Sequence, residues 1–331
     1  MTIESKVVFH LCSYLVSIKS RSGQFLVALP LYAGLSVSQQ LKAFDKADFG
    51  HRKCIVSTNI AETSVTIDGI VYVIDSGFVK TRSYNPSSGL ESLVVAPISR
   101  ASADQRAGRA GRNRAGKCFR LYTCEFFEHS MFPHNTPEIL RSNLSHVILQ
   151  LKALGVQDLT RFDFISTPSL SSLAQSIQVL YSLGALDDHG RLTESVGKIM
   201  AEFSLPPMLS KMLILSGASE YSCSEEIVSI VAMLSVQSLF YNPSKGFKTA
   251  EASRKKFWVK EGDLLTLLNV YNSFVFNRRG SQWCSDHFIS FKAISSATNI
   301  RAQLVQYLKK FGIPLLSCGS SADSIRKCIV A

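Results

Sequence analysis

Between Phe25 and Tyr122 short apolar runs alternate with amphipathic stretches, and this alternation constrains the fold of the 331-residue chain more than any other feature. Ile70–Asp75 (Ile-Val-Tyr-Val-Ile-Asp) is a continuous apolar run, the pattern of a strand covered on both faces in a parallel sheet. Phe25–Leu31 and Lys53–Val56 are further β-rich runs, separated by the amphipathic Val37–Phe44. The helical stretch Ala101–Ala110 leads into a last strand, Lys117–Tyr122. Phe78–Tyr84 and Leu90–Ala96, joined by Asn85-Pro-Ser-Ser-Gly89, read as a β-hairpin. Strand–helix alternation implies an α/β domain whose ligands sit beyond the carboxyl ends of parallel strands.

The most apolar windows, Leu205–Leu215 and Ile227–Leu234, fall far short of the ~18 apolar residues of a membrane span. Met1–Leu15 carries Glu4, Lys6 and His10 and no cleavage-site pattern, so no signal peptide is expected. The eight cysteines form no Cys-x-x-Cys pair and read as reduced, mostly buried thiols, with no metal site. A soluble intracellular chain is expected.

The net charge of +11 is unevenly spread. Ser99–Arg120 holds seven Lys or Arg residues against one carboxylate, Asp104. Within it lies Gln105-Arg-Ala-Gly-Arg-Ala-Gly-Arg112. If the helix continues, Gln105, Arg109 and Arg112 share one face at i, i+4 and i+7. Gly108 and Gly111 would let a backbone or phosphate approach closely. An amide and two guanidinium forks on one stripe are phosphate-binding chemistry. The overlapping run Gly111–Cys118 nearly spells a P-loop, but Cys118 is a poor substitute for the Mg²⁺-binding hydroxyl. The order is also wrong, since here a helix precedes the strand.

Beyond Pro133–Pro137 the pattern becomes helical. Leu140–Leu154, Ser171–Leu183 and a tight two-stranded turn at Leu186–Leu192 suggest a winged-helix module ending near Phe203. Ser171–Leu183 has no Lys or Arg for phosphates, which favours scaffolding over duplex reading. Pro206–Ser216, Glu225–Leu234, Arg254–Lys260, Asp263–Phe276, Trp283–Ser295 and Ile300–Lys310 read as helices, and Ile325–Val330 as strand-like. Phe257, Trp258, Tyr271 and Trp283 are read as core aromatics.

Two blocks carry a family resemblance. Ser57-Thr-Asn-Ile-Ala-Glu-Thr-Ser-Val-Thr-Ile-Asp-Gly69 closely resembles motif V of the DEAH-box (DEAH/RHA branch) ATP-dependent RNA helicases, and Gln105–Arg112 resembles their motif VI. The hairpin stands between them at the family's position. Pro137–Leu144, Leu149–Gly155, Ile230–Ser235 and Gly262–Asn269 also resemble this family, so the likeness covers about residues 25–330.

The resemblance implies an α/β RecA-like domain with an incomplete parallel sheet, followed by mostly α winged-helix and helical ratchet-like domains. The implied bounds are 1–124 for the second RecA-like domain with its hairpin at 78–96, 125–203 for the winged helix, 204–311 for the ratchet-like domain, and 312–331 for the start of a truncated OB fold. It implies that Gln105 orients the attacking water and that Arg109 and Arg112 meet the γ-phosphate. Phe44 would stack on the base, Thr66 and Asp68 lie near the ribose, Ser64 sense phosphate state, and Thr58 contact the RNA backbone. ATP and Mg²⁺ as cofactors, single-stranded RNA and a G-patch type activator as partners, no membrane, and a nuclear or nucleolar location are likewise implied by the resemblance.

The chain departs from the family in lacking any Gly-Lys-Thr loop or Asp-Glu-Ala-His box, and the family's motif IV strand is expected before Met1. A piece of a longer helicase, inactive alone, is therefore expected. The alternative is a non-catalytic RNA-binding or partner-docking fragment.

Overall fold

A computed structural model of the chain describes residues 8, 10–15, 25–35, 37–241 and 247–331. Two compact units emerge, one holding the described residues up to Asn85 and Leu90–Ser142, the other Pro86–Gly89 and Asn143–Ala331.

In the first unit β1 (Phe25–Leu31) pairs in parallel with β2 (His51–Ser57), from Phe25 opposite His51 to Leu31 opposite Ser57. The short helix α1 (Val37–Leu41) lies between them in sequence. A one-turn helix α2 (Ile60–Thr63) follows β2. Next, β3 (Tyr72–Asp75) pairs in parallel with β6 (Lys117–Arg120), from Tyr72 opposite Lys117 to Asp75 opposite Arg120. The expected hairpin is present as β4 (Phe78–Asn85) antiparallel to β5 (Leu90–Pro97). Among the described residues these are three separate two-stranded ladders.

Leu31, Ala43 and Ile67 form one small core, with Ile55, Ile60, Val65 and Ile70 against it. Ile98, Ala103 and Met131 form another, with Val79 and Tyr122. The expected domain end at residue 124 falls short of this unit's contacts. Asn135 bonds Ser102, and the Arg141 carbonyl accepts from the Tyr84 amide at 2.9 Å.

The helix bearing the basic run is shorter than its pattern suggested. Ser99 caps α3 (Arg100–Ala107) by accepting from the Ser102 amide, and Gly108 closes it. Gly111 then adopts φ +86°, a left-handed conformation that ends any helical path. Arg109 and Arg112 therefore ride on a turn, and the shared helix face expected for Gln105, Arg109 and Arg112 does not exist. Gly116 closes this turn so tightly that a Cβ there would lie 2.7 Å from both the Gly111 nitrogen and the Val71 carbonyl.

In the second unit, α4 (Ser145–Ala153) and α5 (Leu170–Ser182) pack together, and Leu186 bridges Leu192 in the expected antiparallel turn. After α6 (Gly197–Glu202) and α7 (Pro207–Ser216) comes α8 (Ser224–Leu234), whose Ile227, Val228, Ile230 and Val231 are all fully buried. A helix apolar on every side belongs at the centre of its unit.

Four expectations are corrected here. The helix read at Arg254–Lys260 is α9 (Phe247–Lys255), and α10 (Asp263–Phe276) follows as expected. The run read as Trp283–Ser295 is two helices, α11 (Ser281–Asp286) and α12 (Phe291–Lys310), parted at Phe288 with φ +56°. The strand-like Ile325–Val330 lies in a helix, α13 (Ala322–Val330), capped by Ser321. Ile325 and Cys328 sit three residues apart and enter the core around α8, a helical period hidden inside a short β-branched run. Of the four aromatics, Phe257 and Tyr271 are buried and Trp283 packs on their cluster, but Trp258 is 61% exposed and is not core.

The Pro314–Ser317 segment is stitched to the start of α8. Ser224 Oγ donates to the Pro314 carbonyl at 2.7 Å and accepts from the Leu316 amide, while Glu226 accepts from Ser317 Oγ. Truncating Ile230 to Ala should lower this unit's stability by about 2–5 kcal/mol, the cost of a core cavity. The same change at Val330, 87% exposed, should stay within roughly 0.5 kcal/mol. Urea denaturation followed by a probe in the helical unit, such as Trp283 fluorescence, checks both.

Candidate functional site

The site is assembled between the end of β2 and the starts of β3 and β6, where the turn bearing Arg109 and Arg112 leads into Lys117, whose amide donates to the Val71 carbonyl. Thr58 follows β2 directly; its amide donates to the Leu31 carbonyl and its carbonyl accepts from Ala61 as α2 begins. The carboxyl end of β2 thus finishes in a polar turn, the position expected for a ligand, whereas the turn bearing the arginines adjoins the beginnings of β3 and β6. Residues 57–69 run from this turn through α2 to Ile67, whose burial leaves its neighbours Thr66 and Asp68 exposed.

The two arginines of the turn after α3 converge on this segment. Arg109 donates through Nη1 to the Val65 carbonyl at 3.3 Å, and Arg112 through Nη1 to Thr66 Oγ1 at 2.9 Å. Arg109 Nε is buried and has no hydrogen-bond partner among the described residues. A desolvated guanidinium donor of this kind calls for an acceptor, and an anionic oxygen is the strongest one. Gln105, Ser64 and Asp68 are exposed, and among the described residues no hydrogen bond joins their side chains to either arginine. Phe44, 42% exposed, is presented by a turn that Lys53 of β2 fastens, donating to the Ala43 and Asp45 carbonyls at 2.8 and 2.7 Å. Burial lowers the pKa of this lysine.

Sequence reasoning missed the ion cluster behind these residues. Asp75 closes β3 with its side chain 1% exposed and accepts from Arg106 Nη1 at 2.8 Å. Arg106 Nε bonds Glu62 of α2 at 2.9 Å, and its Nη1 reaches the Phe78 carbonyl at the hairpin root. Tyr122 donates to the second Asp75 oxygen at 2.8 Å, and the Gly77 amide to the first at 3.0 Å. Burial acts to lower the Arg106 guanidinium, but Asp75 and Glu62 outweigh it and hold its pKa above the ordinary value. Burial and then the bond to Asp75 push the Tyr122 phenol up. Removing one partner of such a buried pair costs about 3–5 kcal/mol, because the other charge is left uncompensated. The expectation that Ile70–Asp75 is covered on both faces is not met, since Tyr72 and Ile74 are 50% and 71% exposed; only Asp75 at its end is buried.

The cluster changes the meaning of the basic run. Arg106 answers carboxylates outside it, and Arg120 pairs with Asp104 at 2.6 Å. Among the described residues Arg109 and Arg112 bond only neutral groups, a carbonyl and a hydroxyl. The Lys117-Cys118 end of the P-loop-like run lies within β6, which disposes of that reading. Among the described residues no group of His, Cys, Asp and Glu is placed to hold a metal ion, and no helix is long and apolar enough to cross a membrane.

Comparison with known proteins agrees with the architecture. Residues 4–114 match the helicase conserved C-terminal domain, 176–205 the winged-helix part of the helicase associated domain (HA2), and 206–267 its ratchet-like part. The chain is 50% identical over 307 residues to the probable ATP-dependent RNA helicase DHX35 of Pongo abelii, covering 92% of this chain and 42% of that protein. The human protein of the same description is also 50% identical over 307 residues, with 92% and 43% covered. The Caenorhabditis elegans homolog is 47% identical over 309 residues, with 92% and 42% covered. The chain thus spans about two-fifths of the length of these curated relatives. With an α/β RecA-like unit followed by winged-helix and ratchet-like helices, the chain belongs to the DEAH-box RNA helicase family as a C-terminal portion.

Proposed function

We propose that these residues form the half of an ATP-dependent RNA helicase that completes the nucleotide site and carries part of the RNA path. The observation that supports this best is the convergence of Arg109 and Arg112 on Val65–Thr66, with the buried Arg109 Nε left without an acceptor. A phosphate oxygen suits that donor, so the residues present fit a nucleoside triphosphate.

When bound, ATP with its Mg²⁺ supplies the phosphoanhydride whose cleavage drives the cycle. The chain's own part is positioning and charge stabilisation, the bulk of catalysis in phosphoryl transfer. In this reading Arg109 and Arg112 neutralise charge on the phosphoryl oxygens, Arg112 as the finger, and Gln105 orients the attacking water. Phe44 stacks on the base, Thr66 and Asp68 lie toward the ribose, and Ser64 responds to phosphate state. Thr58 holds the RNA backbone, a contact that positions a strand without reading sequence. The β4–β5 hairpin parts RNA strands during 3′-to-5′ movement. Single-stranded RNA is the substrate in this proposal, a G-patch type protein the activator, and the nucleus or nucleolus the place of action.

Three outcomes follow. The 331 residues alone should release phosphate from ATP no faster than background, with or without RNA, because no phosphate-cradling loop occurs in the sequence. RNA-stimulated turnover abolished by Arg112→Ala would overturn this. The chain should bind single-stranded RNA weakly, with affinity falling linearly on a log–log salt plot and little sequence preference; fluorescence anisotropy at several salt concentrations checks it. In the full-length helicase carrying these residues, Arg112→Ala should lower kcat by roughly 10³–10⁵-fold with KM for ATP little changed. Phe44→Ala should instead raise KM with kcat nearly constant, since stacking holds substrate and transition state alike. Steady-state kinetics separates the two patterns.

A further inference from the structure

Among the described residues Arg106 touches none of the groups assigned to nucleotide or RNA, yet it is the most fully engaged cation of the first unit's described residues. Its guanidinium reaches three segments at once: Glu62 in α2, Asp75 at the end of β3, and the Phe78 carbonyl where the hairpin begins. Each segment leads to something functional. Glu62 lies three residues before Val65, the carbonyl that holds Arg109, and four before Thr66, the hydroxyl that holds Arg112. Phe78 starts β4, and the preceding Gly77 accepts from the Ile98 amide at 3.0 Å, which closes the hairpin root. Arg106 itself belongs to α3, whose end launches the turn bearing both arginines.

The surroundings prevent independent movement at this junction. Gly77 sits at φ +79°, and a Cβ there would lie 2.6 Å from the Tyr122 ring, whose hydroxyl holds the second oxygen of Asp75. Both Asp75 oxygens are therefore occupied, one by Tyr122 and one by Arg106 and the Gly77 amide. A planar guanidinium supports such a fork, whereas a Lys ammonium at this position is a single point charge.

We propose that Arg106 is a positioning residue that locks the Val65–Thr66 strip and the hairpin root into one rigid junction, so that the two arginines and the hairpin share a single geometry. The functional consequence, coupling of ATP turnover to the hairpin, rests on the helicase reading above; the junction itself does not.

Hydrogen exchange of the 331-residue chain tests the junction directly. In Arg106→Gln and in Arg106→Lys, amides of residues 62–66 and of residues 77–80 should exchange faster together, by about tenfold or more, while β1–β2 is unchanged. Arg106→Lys keeps a charge beside Asp75 and decides the matter if Arg106→Gln does not fold. Acceleration in only one segment, throughout the unit, or in neither overturns the proposal. In the full-length helicase, Arg106→Lys should lower kcat for RNA-stimulated ATP hydrolysis by about tenfold or more with KM for ATP within about threefold. An equal rise in KM overturns the positioning role. A wild-type helicase that hydrolyses no ATP would sink the proposed function instead, and the exchange result would still decide the junction.

Discussion

A buried carboxylate must be hydrogen-bonded or paired, and Asp75, buried at the end of β3, meets that demand with Arg106 in the first unit. Much of the unit's polar architecture follows from this pair. It fixes where α3 lies against β3, draws Glu62 and hence α2 toward the same point, and sets the hairpin root through Phe78. Tyr122 brings in the end of β6. Two-stranded ladders are weak alone, and these ion pairs tie β3 and β6 to α3, and α3 to α2.

The same pair shows how a basic run divides its labour. Arg106 and Arg120 satisfy carboxylates and build structure, whereas among the described residues Arg109 and Arg112 meet only a carbonyl and a hydroxyl. Neutral partners orient a guanidinium without cancelling its charge, the state in which it can still serve an anion.

Elements whose information is local were legible in the sequence. The hairpin announced itself through Asn85–Gly89, and the arginines of motif VI through residue type and spacing. What escaped was long-range or depended on where an element stops. The Arg106 contacts span 31 and 44 residues and the Tyr122 contact 47, so no spacing rule reveals them. The shared helix face failed because two glycines end α3 early, and α13 was hidden because a run of six residues suits either period. Trp258 was misplaced because apolarity alone does not say which face of a chain is covered.

The turn that bears Arg109 and Arg112 is held open by absences. Gly111 uses a left-handed backbone, and Gly116 leaves no room for even one carbon beside Val71 and Gly111. Side-chain gain at either glycine would shift both arginines as a unit while leaving their chemistry and every ligand contact nominally intact. A lesion there would displace the arginines although neither glycine carries a side chain of its own to lose.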